Sequence, residues 1–328
     1  MKIEVNTHEK TLLRFAADHP ELVVLSADLG SSCEVKAFRA RYPERYFTMG
    51  IAEQNMCSWA AGLAREGYRP FLHTFSVFLY RRILDQLEMS VAYPNLPVVF
   101  VGFVPGLTTP GGVSHQSIND VGVLRTVPNL AILEVGDATE IEGVTQLAWD
   151  WNGPVFVRML RKEVPRLFPA DRPMEFNRAR VLSEGEDVTV LSSGICTEEA
   201  MRATAVLREK GVSVQHLHVS TLKPFTDPTV LAAVKRCRLG VVTMENHVIT
   251  GGLGSAVAEL MAEHAVGKPL RRIGLSGYAH GASRMYLMKK YGIDALRLTS
   301  AVEELSGKRL NITEDDLSTA RFVDYLEV

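Results

Sequence analysis

The 328-residue sequence has few cysteines, no surplus of either charge and no long apolar run. Its four cysteines, Cys33, Cys57, Cys196 and Cys237, are widely spaced and form no Cys-x-x-Cys pair. That argues against a disulfide scaffold or a zinc site and fits reduced, buried thiols in a cytoplasmic protein. Basic residues number 36 and acidic residues 38, for a net charge of −2. No run of like charges supplies the basic face that a nucleic-acid backbone requires. The longest apolar stretch, 96–107, is too short to span a membrane and is interrupted by Pro97, Gly102, Pro105 and Gly106. Residues 1–5 lack the basic and apolar regions of a secretory signal. Also missing are a Gly-x-Ser-x-Gly elbow, a P-loop and a His-Glu-x-x-His pair, so three common hydrolytic and nucleotide-binding sites are excluded.

What is present is an alternation of strand-like and helix-like segments along the whole length, the pattern of an α/β protein with mostly parallel sheets. Residues 22–26, 71–75, 97–104, 130–135 and 154–160 read as buried strands. Met56, Trp59, Ala60, Leu63 and Ala64 recur at helical spacing before Gly67, and 137–152 reads as another helix. A helix is also expected around Ile83, Leu84, Leu87 and Val91, with Arg82, Asp85, Gln86 and Glu88 on its polar face. The periodicity fails over 164–186, which is rich in proline and then polar. Two consecutive α/β domains are therefore expected, at 1–165 and 187–328, joined by a linker at 166–186. In the second, Thr197 reads as a helix N-cap, Lys210-Gly211 as that helix's end, and 212–219, 239–245 and 270–274 as strands.

Few segments carry chemistry by themselves. Gly251-Gly-Leu-Gly254 opens a helix but does not match Gly-x-Gly-x-x-Gly, and tight strand-to-helix packing explains it as well. His216 and His218 share a strand face, but no third metal ligand accompanies them. Glu53 is more informative, lying between a short strand and an amphipathic helix. In open α/β sheets ligands gather at such strand ends, although an acid also suits a helix's first turn.

Glu53 lies in Thr48-Met-Gly-Ile-Ala-Glu-Gln-Asn-Met56. It is followed in order by Thr74-Phe-Ser-Val-Phe78, Asp85-Gln86, Gly111-Gly-Val-Ser-His-Gln116, Arg125-Thr-Val-Pro-Asn129, Gly136-Asp-Ala-Thr-Glu140 and Pro154-Val-Phe-Val-Arg-Met-Leu-Arg161. In this order and spacing the set resembles the pyrimidine-binding domain of thiamine diphosphate enzymes, specifically transketolases. The resemblance continues into a transketolase-like C-terminal domain through Glu245-Asn-His-Val-Ile-Thr-Gly-Gly-Leu-Gly254 and covers essentially the whole chain.

The resemblance implies roles that suit the residue types. Glu53 matches the carboxylate that hydrogen bonds the cofactor's aminopyrimidine N1′ and so promotes loss of the proton from its reactive carbon. Phe75 and Phe78 match the aromatics that pack the pyrimidine and exclude water, and Ile51 and Asp28 fall among the cofactor-adjacent positions. His115 matches the histidine that hydrogen bonds substrate oxygens and moves protons at the reacting carbon. Gln116 and Ser32 belong with it on the substrate side. Arg161 matches the arginine that anchors a sugar phosphate. Arg158, three residues earlier on the strand, should face the opposite way. A third family aromatic falls at Arg81, beside Tyr80.

Two departures shape the expectation. No Gly-Asp-Gly…Asn motif for the metal and diphosphate occurs in this sequence. The resemblance therefore implies the C-terminal subunit of a split transketolase, with the diphosphate and Mg2+ held mainly by an N-terminal partner subunit in an α2β2 assembly. In the substrate loop, Thr109-Pro-Gly-Gly112 replaces the family's Gly-Glu-Asp-Gly, and an upstream histidine is replaced near Phe103-Val104. Losing those polar contacts points to an altered ketose, branched, phosphorylated or sulfonated. The competing expectations are the β subunit of a 2-oxo acid dehydrogenase, a deoxyxylulose-phosphate synthase-like enzyme, and a non-catalytic regulatory partner. Release of CO2 from a 2-oxo acid separates the first two from ketol transfer. Full activity in a Glu53→Gln complex would contradict the role given to that carboxylate.

Overall fold

The computed structural model describes residues 2–320. The described residues begin with a short strand, β1 (Lys2–Val5). The apolar runs then form β2 (Leu22–Ser26), β3 (Tyr46–Thr48), β4 (Arg69–Phe75), β5 (Val99–Phe103), β6 (Ala131–Glu134) and β7 (Val155–Met159). Next come β8 (Glu163–Arg166), β9 (Arg180–Ser183), β10 (Val188–Ser192), β11 (Val214–His218), β12 (Thr221–Lys223), β13 (Gly240–Val248) and β14 (Leu270–Leu275). The architecture is the expected one, α/β with two mostly parallel sheets. The first sheet runs β12-β6-β7-β5-β4-β2-β3 and the second β14-β13-β10-β11-β9. Every residue of β2, β5, β6, β7, β10 and β11 is buried, as sheets covered on both faces require.

The connecting stretch differs from expectation. Residues 166–186 contain the end of β8, which pairs antiparallel with β1, and all of β9, which pairs antiparallel with β11. Both are short edge strands, where proline is tolerated and alternation is too brief to read. Asp137 fastens this stretch. It caps helix Ala138–Asp150 through Glu140 N at 2.8 Å and accepts from Leu167 N and Phe168 N, each at 2.9 Å. Burial, then the neighbouring Glu140, pushes the Asp137 carboxyl up to about 6. The other departure is β12, which leaves the C-terminal half to pair antiparallel with β6 of the first sheet. One apolar cluster consequently includes Ile132 and Phe156 together with Leu191, Leu217 and Leu222, so the two halves share a core.

Two local expectations also change. The helix around 83–91 is broken into Phe78–Arg81, Leu84–Gln86 and a π-helical turn, Leu87–Ala92. Thr197 is not a cap: it lies inside helix Cys196–Glu209, where its hydroxyl meets Ser192 Oγ at 2.9 Å and His218 Nδ1 at 2.6 Å. His216 and His218 are buried and bonded within the protein, the first to Ser192 Oγ and the second also to Glu140. The glycines at 251–254 are there for close approach. Glu245 accepts from Leu253 N and Gly254 N at the start of helix Leu253–Glu263, and a Cβ on Gly252 would overlap that carboxylate.

Candidate active site

The carboxyl ends of the first sheet's strands gather the residues singled out above. β4 ends at Phe75, and Phe78 opens the helical turn after it. Their rings lie 5.9 Å apart at 24°, nearly parallel. The His115 ring stands edge-on to both, at 6.1 Å from Phe75 and 5.7 Å from Phe78. The Arg161 guanidinium covers Phe75 at 5.2 Å, and that of Arg82 covers Phe78 at 3.8 Å. Arg82 Nη1 donates to Glu53 Oε1 at 2.6 Å. Glu53, Arg82, Phe78, Phe75, His115 and Arg161 thus form a continuous chain of contacts.

Glu53 is the first residue of helix Glu53–Arg65, where the helix dipole favours a negative charge. It is only 4% exposed, whereas Arg82 is 41% exposed, so one half of the pair is reachable from solvent and the other is not. Arg82 was expected merely on a polar helix face. The chain breaks the helix at Ile83, and the arginine turns to the carboxylate instead. No local pattern marks this role, because its partner lies 29 residues away.

Ile51 is 77% exposed beside Glu53, and neither it nor Asp28 bonds to the contact chain. Asp28 is exposed with φ +59 and lines a cavity of about 260 Å³ with Ser32, Lys36, Arg39, Tyr46 and Thr48. Ser32 joins this cavity to the chain of contacts, since its carbonyl accepts from Arg161 Nη1 at 3.0 Å.

Gln116 bonds through its amide to the second half of the chain. Its side chain is buried, its Nε2 donates to the His280 carbonyl at 3.2 Å, and its Oε1 has no protein partner. The family's missing aromatic is replaced by a clamp. Arg81 donates to the carbonyls of Val113 and Gln116, at 3.0 and 3.4 Å, and to the Tyr80 hydroxyl at 2.8 Å.

Arg158 and Arg161 separate because β7 ends at Met159, between them. Arg158, in β7, is buried and donates to Asp120 at 3.0 Å, to Glu134, and to the carbonyls of Ser117 and Asn246. Burial works against its charge, but Asp120 and Glu134 more than offset this and hold its pKa above the usual value. Arg161, beyond the strand, is half-buried. Among the described residues no group of three or more His, Cys, Asp or Glu is placed to hold a metal ion. None of the described helices is long and apolar enough to cross a membrane.

Comparison with known proteins matches residues 5–166 to the transketolase pyrimidine-binding domain and 177–298 to the transketolase C-terminal domain. A 6-deoxy-6-sulfo-D-fructose transketolase subunit, SqwH, of Clostridium sp. strain MSTE9 is 36% identical, over 93% of this chain and 94% of that protein. A 1-deoxy-D-xylulose-5-phosphate synthase of Caldanaerobacter subterraneus subsp. tengcongensis is 32% identical over 89% of this chain but only 47% of its own length. Among solved structures, a split-gene transketolase in an inactive beta4 tetramer superposes with a TM-score of 0.84 at 34% identity, covering 96% of this chain and 98% of that one. The chain belongs to the transketolase family.

Proposed function

We propose that this chain is the C-terminal subunit of a two-chain transketolase that moves a two-carbon ketol unit from an anionic ketose to an aldose. The observation that carries this reading is the buried Glu53 at the head of its helix, held by Arg82 and linked through it to the Phe75–Phe78 pair. Paired flat apolar faces beside a buried carboxylate suit the aminopyrimidine end of thiamine diphosphate, so the residues present fit that half of the cofactor. The family implies this cofactor and a divalent ion; we assign the diphosphate and Mg2+ to the partner subunit. When bound, thiamine diphosphate supplies a carbon nucleophile and an electron sink for breaking a carbon–carbon bond beside a carbonyl.

The chain's own residues have distinct tasks. Glu53 shares a proton with the ring nitrogen N1′, and Arg82 fixes the carboxylate's orientation while covering Phe78. Phe75 and Phe78 exclude water from the ring faces. His115 hydrogen bonds the donor and acceptor oxygens and carries protons at the reacting carbon. Arg161, with donors left over after its single bond to Ser32, takes the anionic tail of the sugar, phosphate or sulfonate. The partner docks on the face where Ile51, Trp59, Met89 and Tyr93 are exposed around Glu53's helix and the π-helical turn. The free cysteines suit the reducing cytoplasm.

The test is a ketose-donor assay on the reconstituted two-chain complex with 6-phosphate and 6-sulfonate ketoses. Transfer of a two-carbon unit to an aldose, abolished by Glu53→Gln, is expected. CO2 release from pyruvate without ketol transfer would contradict the reading and favour a 2-oxo acid reaction.

A further inference from the structure

His115 sits on a loop, 105–117, whose placement depends on the C-terminal half of the molecule. At the loop's base Asn246, in β13, imitates a strand partner. Its Nδ2 donates to the Pro105 carbonyl at 3.1 Å, and its Oδ1 accepts from Leu107 N at 2.9 Å. Gly106 packs so closely on this amide that a Cβ there would stand 2.3 Å from it. Just before the loop Val104 has φ +53, a conformation strained for a β-branched residue, which persists only where its surroundings dictate it. Beyond the loop Val248 N donates to the Ile118 carbonyl at 2.8 Å.

The tip is held from the same side. Gln116 Nε2 donates to the His280 carbonyl, and the Gly281 position lies so near the Pro110 carbonyl oxygen that a Cβ would come within 2.6 Å. His280 is itself fixed by Tyr291, whose hydroxyl accepts from His280 N at 3.3 Å and meets His280 Nδ1 at 3.0 Å. From the other side Arg81 binds the carbonyls of Val113 and Gln116. Within the loop, His115 N and Gln116 N both donate to the Gly112 carbonyl, at 2.9 and 3.0 Å. The turn bearing His115 is therefore pinned between one arginine of the first half and one segment, 277–283, of the second.

We propose that the C-terminal half acts as the template that positions His115, with Gln116 and Asn246 as positioning residues and the backbone at 280–281 as the surface they meet. This rests on reading His115 as the group that meets substrate. It gives the second half of the chain a task in the reaction, although no residue of that half belongs to the Glu53–Arg161 chain of contacts. A displacement of about 1 Å at a proton-transfer group is enough to lower turnover roughly a hundredfold, so small changes at 280–281 reach the chemistry.

The experiment uses the assembled two-chain complex carrying Gly281→Ala, which forces the Pro110 carbonyl away, or Gln116→Glu, which sets a carboxylate against the His280 carbonyl. Both are measured beside Tyr291→Phe and His115→Ala. Gly281 lies in an exposed loop, so Gly281→Ala tests position without opening a core. Turnover is expected to fall roughly tenfold or more in Gly281→Ala and Gln116→Glu and by a smaller factor in Tyr291→Phe. Thiamine diphosphate affinity should stay within about twofold, because Glu53, Phe75 and Phe78 are untouched. Unchanged turnover in both Gly281→Ala and Gln116→Glu, with His115→Ala crippled, overturns this inference alone. Cofactor affinity falling in step with turnover also overturns it, because the loss would then be structural. An active His115→Ala complex removes the reading on which it rests.

Discussion

Arg158 and Arg161 lie three residues apart in sequence and lead opposite lives. Arg158 is sealed inside the molecule, where two carboxylates and two carbonyls take its donors and the same carbonyls tie the two halves together. Arg161 makes one hydrogen bond, lies across an aromatic face and keeps the rest of its fork toward solvent. A buried charge whose partners are all inside the protein fixes structure. A cation whose environment leaves donors unused is placed for something that arrives. The same contrast separates Glu245, whose carboxylate holds a helix start, from Glu53, whose carboxylate shares a single cation at the edge of an open aromatic pair.

Substitutions should divide along that line. Glu53→Gln in the assembled complex is expected to reduce ketol transfer by about 10²–10⁴-fold while thermal denaturation stays near that of the wild type. A large drop in melting temperature would move Glu53 to the structural class. Arg158→Met leaves Asp120 and Glu134 buried without their cation, and should destabilise the fold by about 3–5 kcal/mol, read by urea denaturation. A nearly neutral result would show that those carboxylates do not depend on it. Arg161→Ala should weaken binding of a phosphorylated or sulfonated donor by about 1.5–3 kcal/mol, seen as a raised KM with little change in kcat or stability. An equal effect on an uncharged ketose would deny the anion-binding role.

The last effect concerns pH. His247 beside the Arg158 network accepts from Gly122 N at Nε2 and bonds the Val248 carbonyl through Nδ1, so protonating the ring at Nε2 would break the bond from Gly122 N. Burial, only partly countered by Asp120, lowers its pKa from 6.5 to about 4. Its contribution to stability is therefore complete above pH 6.5 and is lost as the pH falls toward 4, by at most roughly 1.4 kcal/mol per pH unit. His247→Gln should flatten the stability–pH curve over that window. An unchanged slope would place the dependence on other buried groups.

Much of this was legible in the sequence because it is local or periodic. The buried strands from 22–26 to 154–160 follow from apolar runs. The candidate residues Glu53, Phe75, Phe78, His115 and Arg161 were marked by the order of short motifs, and they meet in space. The sequence did not reveal pairing between distant segments. β12 crosses to the first sheet on three residues, β9 is a four-residue edge strand within an apparent linker, and Arg82 finds its carboxylate 29 residues back. Nor did it reveal that the Gln116 amide reaches the carbonyl of a residue 164 positions away.

The most direct measurement is calorimetric binding of thiamine diphosphate with Mg2+ to this chain alone, to the partner chain alone and to their mixture. The account predicts tight binding only in the mixture, weakened when the mixture carries Glu53→Gln. Tight binding by this chain alone would show a diphosphate site within it and contradict the shared-site reading.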